Sequence, residues 1–344
     1  MFRLKTQGVK TMSGKTFKAM IVTEDKDNRF LRQIAEKSVD ELPPGEVLVR
    51  VKFSSLNYKD VLSSIGNRGV TKKYPHTPGI DAAGVVEESQ SEIVKPGDEV
   101  IVTSYDLGMN TSGGFGQYIR VPANWVVKKP AALSLRESMI YGTAGFTAAL
   151  SVYRLVEYGI GPDRGKILVS GATGGVGSVA TAILAKSGYE VVAVNGVVDE
   201  KEYLLGLGAK EVISIEEATD ATGRPLLKEL WGGGVDVLGG PILATTIKST
   251  KYGGAVTSCG NAGSHDLPLN VFPFILRGVT LIGIDSQNCP MPTRLKVWQK
   301  IASDWKLAQL DQMTTEIPLE GVGDRIDLIL EKKHKGRTVV KLPD

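Results

Sequence analysis

Four consecutive polar residues, Asn57-Tyr58-Lys59-Asp60, follow an apolar, strand-like run over residues 46–53. A phenol, an amide and a carboxylate at one place can stabilise developing charge and move a proton. Tyr58 could donate a hydrogen bond or a proton, Asn57 could orient a substrate or a cofactor ribose, and Asp60 could fix its neighbours. The same residues also fit an ordinary helix start, with Asn57 as the N-cap and Tyr58 partly buried. We expect a catalytic cluster at this segment.

Two further features could extend this cluster. Asp81 precedes a strand-like run over residues 82–87, where it could orient the cluster or simply cap a turn. Arg68, Lys72 and Lys73 form a local basic group after the cluster and could bind the phosphates of a CoA thioester. A basic group of this kind is more often only a solvated loop. We expect Asp81 to support the chemistry and the three basic residues to contact substrate.

A glycine-rich segment has the composition of a phosphate-binding loop. The strand-like run over residues 166–170 leads into Gly171-Ala172-Thr173-Gly174-Gly175-Val176-Gly177, and an apolar helical pattern follows to residue 187. Glycines let the backbone approach a pyrophosphate, and the helix N-terminus offers free N–H donors. An ordinary turn is the alternative, and Ala172 departs from the usual glycine pattern. We expect this loop to bind a dinucleotide.

The end of the next strand-like run, residues 190–195, indicates which dinucleotide binds. An acidic residue there would bond the ribose hydroxyls of NAD and repel a 2′-phosphate. The run instead ends in Asn195-Gly196, with no acid before Asp199, and Lys201 could reach back from the next helix. NADPH is therefore expected, although Lys201 could also be an ordinary solvated lysine.

The elements that must position these residues form two patterns. Short strand-like runs punctuated by turns, over residues 17–130, predict a compact β-rich, barrel-like domain. Ser134 and Glu137 match a capping box and predict the start of a helix. From Gly165 onward strands and helices alternate, which predicts a doubly wound parallel sheet. A terminal strand-like run from Arg337 is expected to return to the first domain.

The 344-residue chain is long enough for two domains. Its 41 basic and 38 acidic residues are spread along the sequence, so no nucleic-acid-binding tail is predicted. The two cysteines, Cys259 and Cys289, are too few for a disulfide framework, and no run approaches the length of a membrane span. We expect a cytoplasmic protein, with residues 1–16 as a flexible leader or an upstream start.

Five segments in order resemble the quinone oxidoreductase branch of the medium-chain dehydrogenase/reductase superfamily, and within it the zinc-independent, acryloyl-CoA reductase-like family. They are residues 56–60, 78–84, 141–148, 171–177 and 274–279. The resemblance implies a GroES-like catalytic domain over residues 17–134, an NADPH-binding Rossmann domain over 135–285, and a return to the catalytic domain over 286–344. It also implies a hydride transferred from NADPH.

The resemblance adds residues to the predicted site. It implies that Thr143 lies beside the cofactor diphosphate and that Ser258, Gly260 and Asn261 lie near the nicotinamide. Zinc-dependent members of the superfamily carry Cys near the position of Asn57 and a His-Glu pair at residues 80–81. Neither Asn nor Ile replaces those ligands, so no metal is expected.

Three functions remain open at this stage. The first is reduction of an activated C=C bond, with a 2-enoyl-CoA such as acryloyl-CoA as the leading substrate. The second is NADPH:quinone reduction, which needs no dedicated proton donor. The third is a non-catalytic NADPH-binding sensor, because a fold alone does not establish turnover. A β run over residues 279–284 could form a sheet edge that pairs across a two-fold axis, so we also expect a homodimer.

Overall fold

The computed structural model describes residues 14–196 and 200–344. The predicted leader over residues 1–16 therefore lies largely outside the described residues, and Asp199 lies outside them entirely. In the N-terminal half the elements are β1 (Thr16–Glu24), β2 (Phe30–Ser38), β3 (Val47–Leu56), α1 (Tyr58–Ser64), β4 (Asp81–Ser89), β5 (Glu99–Thr103), β6 (Tyr118–Val121) and β7 (Val126–Lys128).

The middle of the chain alternates between strands and helices, as predicted. Its elements are α2 (Leu135–Glu157), β8 (Ile167–Val169), α3 (Gly175–Lys186), β9 (Val191–Asn195), α4 (Lys201–Gly206), β10 (Glu211–Ser214), β11 (Trp231–Asp236), α5 (Gly240–Lys248), β12 (Thr250–Ser258), α6 (Phe272–Arg277) and β13 (Thr280–Gly283). The C-terminal part adds α7 (Met291–Ile301), β14 (Thr314–Pro318), α8 (Val322–Leu330) and β15 (Arg337–Lys341).

The strands from the two ends of the chain form one sheet. Its order is β14-β15-β3-β4-β5-β7, with β6 also paired to β3, and β1 and β2 form a separate antiparallel pair. Alternate residues of β3, including Val47, Val49 and Val51, are fully buried in the core of this lobe. The chain therefore builds a barrel-like β lobe in which β3 leads directly into α1.

The second sheet is parallel throughout, with the order β10-β9-β8-β11-β12-β13. If β8 to β13 are numbered 1 to 6 in chain order, this is the 3-2-1-4-5-6 arrangement of a doubly wound dinucleotide-binding sheet. The glycine loop follows β8, the first strand of the unit, and opens α3. The order of strands thus places the loop at the switch point where such sheets bind ligands.

Two features connect the lobes. Helix α2 begins where predicted, with the Ser134 side chain accepting from the Glu137 N–H and the Glu137 carboxylate accepting from the Ser134 N–H. At the other end of the chain, β15 pairs with β3 through residues 338–341 and 53–56. The C-terminal strand therefore lies directly beside the segment that carries the predicted catalytic residues.

Two further elements are α7 and β13. Helix α7 ends at Ile301, and the chain turns so that the Leu307 N–H donates to the buried Tyr141 hydroxyl over 2.8 Å. The predicted edge strand over residues 279–284 is β13, and the residues before it form the short helix α6. None of the helices within the described residues is long and apolar enough to cross a membrane.

Candidate active site

The carboxylate of Asp81, the first residue of β4, organises the site. It is fully buried. Its Oδ2 accepts from the Ser55 hydroxyl over 2.6 Å and from the Asn57 amide over 2.8 Å. The Thr143 backbone N–H donates to Oδ2 over 2.8 Å, and the Thr143 hydroxyl donates to Oδ1 over 2.6 Å. Four donors satisfy one buried carboxylate, and three segments of the chain meet at it. We call Asn57, Asp60, Asp81, Thr143 and Arg337 the polar cluster.

A kink in α2 brings Thr143 to this carboxylate. Gly142 has φ 49° and ψ −155° inside the helix, a conformation that favours glycine. A Cβ at Gly142 would lie 2.4 Å from both Asp81 Oδ2 and Ser55 Oγ. Because the helix restarts after the kink, the Thr143 N–H is free to donate to Asp81 rather than to the preceding turn. Since Thr143 gives its hydroxyl proton to Asp81, Ser104 donates the 2.8 Å hydrogen bond to Thr143 Oγ1.

Arg337, the first residue of β15, supplies the positive charge of the cluster. Its Nε donates to the Ile140 carbonyl over 2.8 Å, and its other nitrogens donate to Ser55 Oγ over 2.9 Å and to Asn57 Oδ1 over 3.2 Å. Burial lowers the pKa of this guanidinium. No local sequence pattern indicates this role, because Arg337 lies 280 residues from Asn57 and the pairing of β15 with β3 brings the two together.

Asp60 is the second buried carboxylate of the cluster. Its Oδ1 accepts from the N–H groups of Gly79 and Ile80, and its Oδ2 accepts from the Asn57 N–H over 2.8 Å. Burial is the largest cause that raises the pKa of Asp60 to about 7, and the nearby charge of Asp81 adds to it. The three backbone donors oppose this increase without cancelling it. Asp60 can therefore gain or lose a proton near neutral pH.

Tyr58 and Lys59 lie on the open side of the same segment. Tyr58 is 59% exposed, in contrast to Asn57, which is 8% exposed. Among the described residues no hydrogen-bond partner is found for the Tyr58 hydroxyl, so it is free to meet a ligand. The half-buried Lys59 donates from Nζ to the Gln287 side chain, and burial lowers its pKa. Asn57 is the N-cap of α1, as the helix-start alternative predicted, and its amide nevertheless belongs to the polar cluster.

The phosphate loop, residues 171–177, has the geometry of a nucleotide cradle. Gly171 has φ 59°, and a Cβ at Gly177 would lie 2.2 Å from the Gly171 carbonyl oxygen, so only glycine allows this close approach. The first N–H groups of α3 have no partner within the helix and point out of its N-terminus. The Ala172 N–H is already bonded to the Val194 carbonyl, which ties the loop to β9. The loop lies beside the polar cluster at Gly175, where an added Cβ would lie 3.0 Å from an Arg337 nitrogen.

Other predicted loop residues also lie at the carboxyl edge of the parallel sheet. Val176 is in the first turn of α3, and the Thr173 carbonyl accepts from the Gly336 N–H over 2.9 Å. Gly174 caps α3. A dinucleotide diphosphate therefore fits the residues present, with the loop glycines giving access and the N-terminus of α3 giving donors.

The residues predicted near nicotinamide follow β12 at the same edge. Ser258 ends this strand, and its hydroxyl lies 3.5 Å from Asp236 Oδ2. Asp236 is fully buried and also accepts from Ser170 Oγ, and burial raises its pKa. Gly260 is tightly placed, because a Cβ there would lie 2.5 Å from the Val237 carbonyl oxygen, and Asn261 is exposed. All three predicted positions are thus on the face where such sheets bind ligands.

The predicted 2′-phosphate residues flank a short gap in the described chain. Asn195 is the buried last residue of β9, and Gly196 follows it in an exposed position. Lys201 is the exposed first residue of α4. Lys335, which no sequence motif indicates, lies at this end of the site and pairs with Glu200 over 2.9 Å.

The predicted CoA-binding residues lie apart from the polar cluster. Arg68 forms an ion pair with Glu24 of β1 and packs over the Tyr74 ring at 5.2 Å from its centroid. Lys72 and Lys73 are exposed. Arg68 is therefore held against the β1–β2 hairpin, while the two lysines are accessible to an anion.

Within residues 14–196 and 200–344, no group of three or more His, Cys, Asp or Glu side chains is arranged to hold a metal ion. His76 bonds the Gly108 carbonyl, and His334 bonds the Gly336 carbonyl. Burial lowers the pKa of both imidazoles, to about 4 for His334. Cys259 and Cys289 are free thiols.

Two family models match the chain. The model described as the alcohol dehydrogenase GroES-like domain matches residues 43–131, and the zinc-binding dehydrogenase model matches residues 175–303. The first match covers the β lobe around β3, and the second begins at the N-terminus of α3.

Close relatives cover almost the whole chain. "Putative quinone oxidoreductase YhfP" of Bacillus subtilis is 47% identical over 89% of this chain and 93% of its own length. Its crystal structure with NAD bound gives a TM-score of 0.93 at 44% identity, covering 96% of this chain and all of that one. Acrylyl-CoA reductase AcuI of Ruegeria pomeroyi is 44% identical over 94% of this chain and 98% of its own length. The yhdH oxidoreductase of Salmonella enterica in complex with NADP has a TM-score of 0.92 and 41% identity, and the match covers 95% and 100% of the two chains.

Proposed function

Because the chain belongs to the zinc-independent quinone oxidoreductase branch of the medium-chain dehydrogenase/reductase superfamily, in the acryloyl-CoA reductase-like family, we propose that it reduces a 2-enoyl-CoA such as acryloyl-CoA with NADPH. This membership confirms both the sequence resemblance and the predicted combination of a GroES-like domain with a Rossmann domain. NADPH is the proposed cofactor, because the yhdH structure contains NADP and because Asn195-Gly196 offers no acid to repel a 2′-phosphate.

One arrangement carries the proposal. The free, exposed hydroxyl of Tyr58 adjoins Asn57, whose side chain is bonded to Asp81 and Arg337. Arg337 in turn lies against Gly175 of the phosphate loop. A cofactor held at that loop would therefore lie close to a potential proton donor that is positioned by a rigid, buried cluster.

The chemistry divides between cofactor and protein. When bound, NADPH supplies a hydride, which would be added to the β-carbon of the enoyl thioester. Negative charge then develops on the thioester oxygen, and the α-carbon needs a proton. In the proposal the Tyr58 hydroxyl donates that proton and is reprotonated from water, which its exposure allows. The products are the saturated thioester and NADP⁺.

Asn57, Asp60 and Asp81 act in this proposal as positioning residues. The Asn57 amide donates to Asp81 and its oxygen accepts from Arg337, so the side chain fixes the start of α1 beneath Tyr58. Asp60 anchors the same turn to the Gly79 and Ile80 N–H groups. We further propose that Lys72 and Lys73, with Arg68 behind them, attract the phosphates of CoA.

A direct assay tests the reaction. NADPH oxidation by the purified protein should be fast with acryloyl-CoA or crotonyl-CoA and slow with the corresponding saturated thioester. Mass spectrometry should find the substrate heavier by two hydrogens, one of them deuterium when the reacting position of NADPH is labelled. Absence of enoyl reduction at saturating NADPH would reject the proposal.

Quinone reduction is the second candidate, and the 47% identity to YhfP favours it. A quinone accepts hydride and takes its protons from water, so it does not need Tyr58. The same assay with several quinones separates the two functions through the ratio of kcat/KM values. A ratio that favours quinones by tenfold or more would select the second candidate.

We also propose a cytoplasmic homodimer. β13 is at the edge of the parallel sheet, and the adjoining α6 region exposes a patch of apolar side chains: Val271 61%, Phe272 42%, Ile275 67% and Leu276 57% exposed. Pairing of two β13 strands across a two-fold axis would extend the sheet and cover this patch. Light scattering at micromolar concentration should give twice the mass of the chain, and Ile275→Asp should give the monomeric mass.

A further inference from the structure

The segment before β15 crosses the nucleotide end of the site. This return segment, residues 332–336, follows α8 and touches the phosphate loop through the Gly336 N–H, which donates to the Thr173 carbonyl over 2.9 Å. One residue earlier, Lys335 reaches the start of α4, where its Nζ lies 2.9 Å from Glu200 Oε2. The same ammonium lies 5.4 Å from the centroid of the Tyr203 ring. A lysine from the C-terminal part of the chain therefore belongs to the adenosine side of the proposed cofactor site.

Glu200 is an acidic residue at the edge of the sheet where a 2′-phosphate is proposed to bind. It directly precedes α4, at the edge of the sheet where β9 ends, and its side chain is only 19% exposed. A carboxylate at this edge bonds ribose hydroxyls in NAD-binding sheets and repels a 2′-phosphate. The chain thus carries, five residues beyond Asn195, a charge that opposes the cofactor it is proposed to use.

We propose that Lys335 determines cofactor choice by neutralising Glu200, so that a 2′-phosphate is accepted beside α4. This inference rests on the proposed use of NADPH and identifies a residue outside the doubly wound sheet as the determinant. Lys335 is a positioning residue in this scheme, because it holds Glu200 in an ion pair. The Tyr203 ring supports the lysine from below.

The size of the effect follows from Coulomb's law. An unpaired carboxylate several ångströms from a phosphate, at the intermediate dielectric of a protein surface, weakens binding by about tenfold. NADH carries no 2′-phosphate, so its affinity should not depend on this charge. The loss of NADPH affinity caused by the unpaired carboxylate should be smaller in high salt, since the carboxylate and the 2′-phosphate are partly accessible to ions.

Dissociation constants of NADPH and NADH, measured by nicotinamide fluorescence without substrate, test the inference. Lys335→Met keeps the contact with Tyr203 and should weaken NADPH about tenfold while leaving NADH within twofold. Lys335→Arg should bind both cofactors as the unmodified protein does. Glu200→Gln combined with Lys335→Met should restore NADPH binding to within twofold. Lys333→Met is the matched control, because Lys333 is in the same segment but pairs with the exposed Glu331.

The outcomes of these binding measurements distinguish a role of Lys335 in cofactor choice from a structural role. Equal losses for NADPH and NADH in Lys335→Met would show a structural role and overturn the inference. The inference would also be overturned if the double variant bound NADPH as weakly as Lys335→Met. The loss of affinity would then not be caused by the Glu200 charge. A protein that binds NADPH as expected but reduces no enoyl thioester would reject the proposed reaction and leave this inference standing. Active enzyme with unchanged binding in Lys335→Met would reject the inference alone.

Discussion

Asn57 and Tyr58 are neighbours in the chain and yet belong to different environments. The Asn57 side chain is 8% exposed and bonded to Asp81 and Arg337, whereas Tyr58 is 59% exposed with a hydroxyl for which the described residues offer no partner. Burying a polar group is costly unless it is hydrogen-bonded. The buried residues therefore use their hydrogen-bonding groups to bond each other, whereas the exposed tyrosine keeps its hydroxyl proton available to a ligand.

This contrast separates two kinds of polar residue that look alike in sequence. Loss of a buried member should lower stability first, because it leaves other buried groups unpaired. Loss of an exposed member should change rate or binding and leave the free energy of unfolding almost unchanged. The predictions below test that division from the largest expected effect to the smallest.

Tyr58→Phe should give the largest effect. If the phenol protonates the α-carbon, the enoyl reduction rate falls by about 10²- to 10⁴-fold, while quinone reduction and the free energy of unfolding stay close to those of the unmodified protein. Steady-state rates with both acceptors, on a variant shown to bind NADPH normally, make the measurement. Tyr252→Phe, another exposed tyrosine at 72% exposure, is the control and should change nothing. An equal loss of about tenfold with both acceptors would mean that Tyr58 only holds position.

Asp81→Asn should be the most destabilising substitution in the polar cluster. An amide brings two donors of its own to a place where four donors already converge, and it removes the charge nearest to the buried Arg337. The free energy of unfolding should fall by about 3 kcal/mol, measured by urea denaturation. Asp27→Asn is the comparison, since it breaks an ion pair with Arg29 that is exposed on both sides, and it should cost less than about 1 kcal/mol. Similar losses of unfolding free energy in the two variants would contradict the distinction between buried and exposed polar residues.

Asp60 should make stability depend on pH. Its folded pKa of about 7 lies above the ordinary value of 3.8, so its contribution is present at acidic pH and is lost as the pH rises toward 7. Relative to Asp60→Asn, the unmodified protein should lose about 2 kcal/mol of unfolding free energy between pH 5 and pH 7. The lowered pKa values of His76 and His334 act in the opposite direction and cancel in this difference. A difference independent of pH would show that Asp60 does not titrate in this range.

Lys201→Ala should have the smallest of the four effects. As an exposed residue at the first turn of α4, it is predicted to bind the 2′-phosphate, and its loss should weaken NADPH about tenfold without changing NADH. Isothermal titration calorimetry measures both affinities. Lys210→Ala, an exposed lysine beyond α4, should leave both unchanged. If Lys201 is only solvated, the two variants will behave alike.

Local signals were enough to predict much of this molecule. The capping box at Ser134, the glycine loop after β8 and the strand–helix alternation each depend on residues close in sequence, and all three appear as expected. Asn57 and Asp81 stand out in the sequence as polar residues beside apolar strands. The structure joins their side chains by a hydrogen bond, and their part in catalysis stays a prediction. In such cases the pattern and the structure are governed by the same short-range physics.

The remaining features depend on contacts between distant segments. The Gly142 kink lies inside α2, and there the Thr143 N–H donates to Asp81, a residue of the other lobe. Arg337 and Lys335 meet Asn57 and Glu200 only after β15 pairs with β3. No local pattern carries that information. The roles of Arg68, Lys72 and Lys73 in CoA binding stay a prediction.

The pairing of β15 with β3 also sets an order of events during synthesis. The ribosome delivers β3, Asn57 and Asp81 early, yet the guanidinium that bonds Asn57 arrives with Arg337, 280 residues after Asn57. The nucleotide-binding loop can form before then, since β8 and α3 emerge earlier. A nascent or prematurely terminated polypeptide could thus acquire a cofactor cradle without the assembled polar cluster, and hydride chemistry would be confined to chains that have been translated through β15.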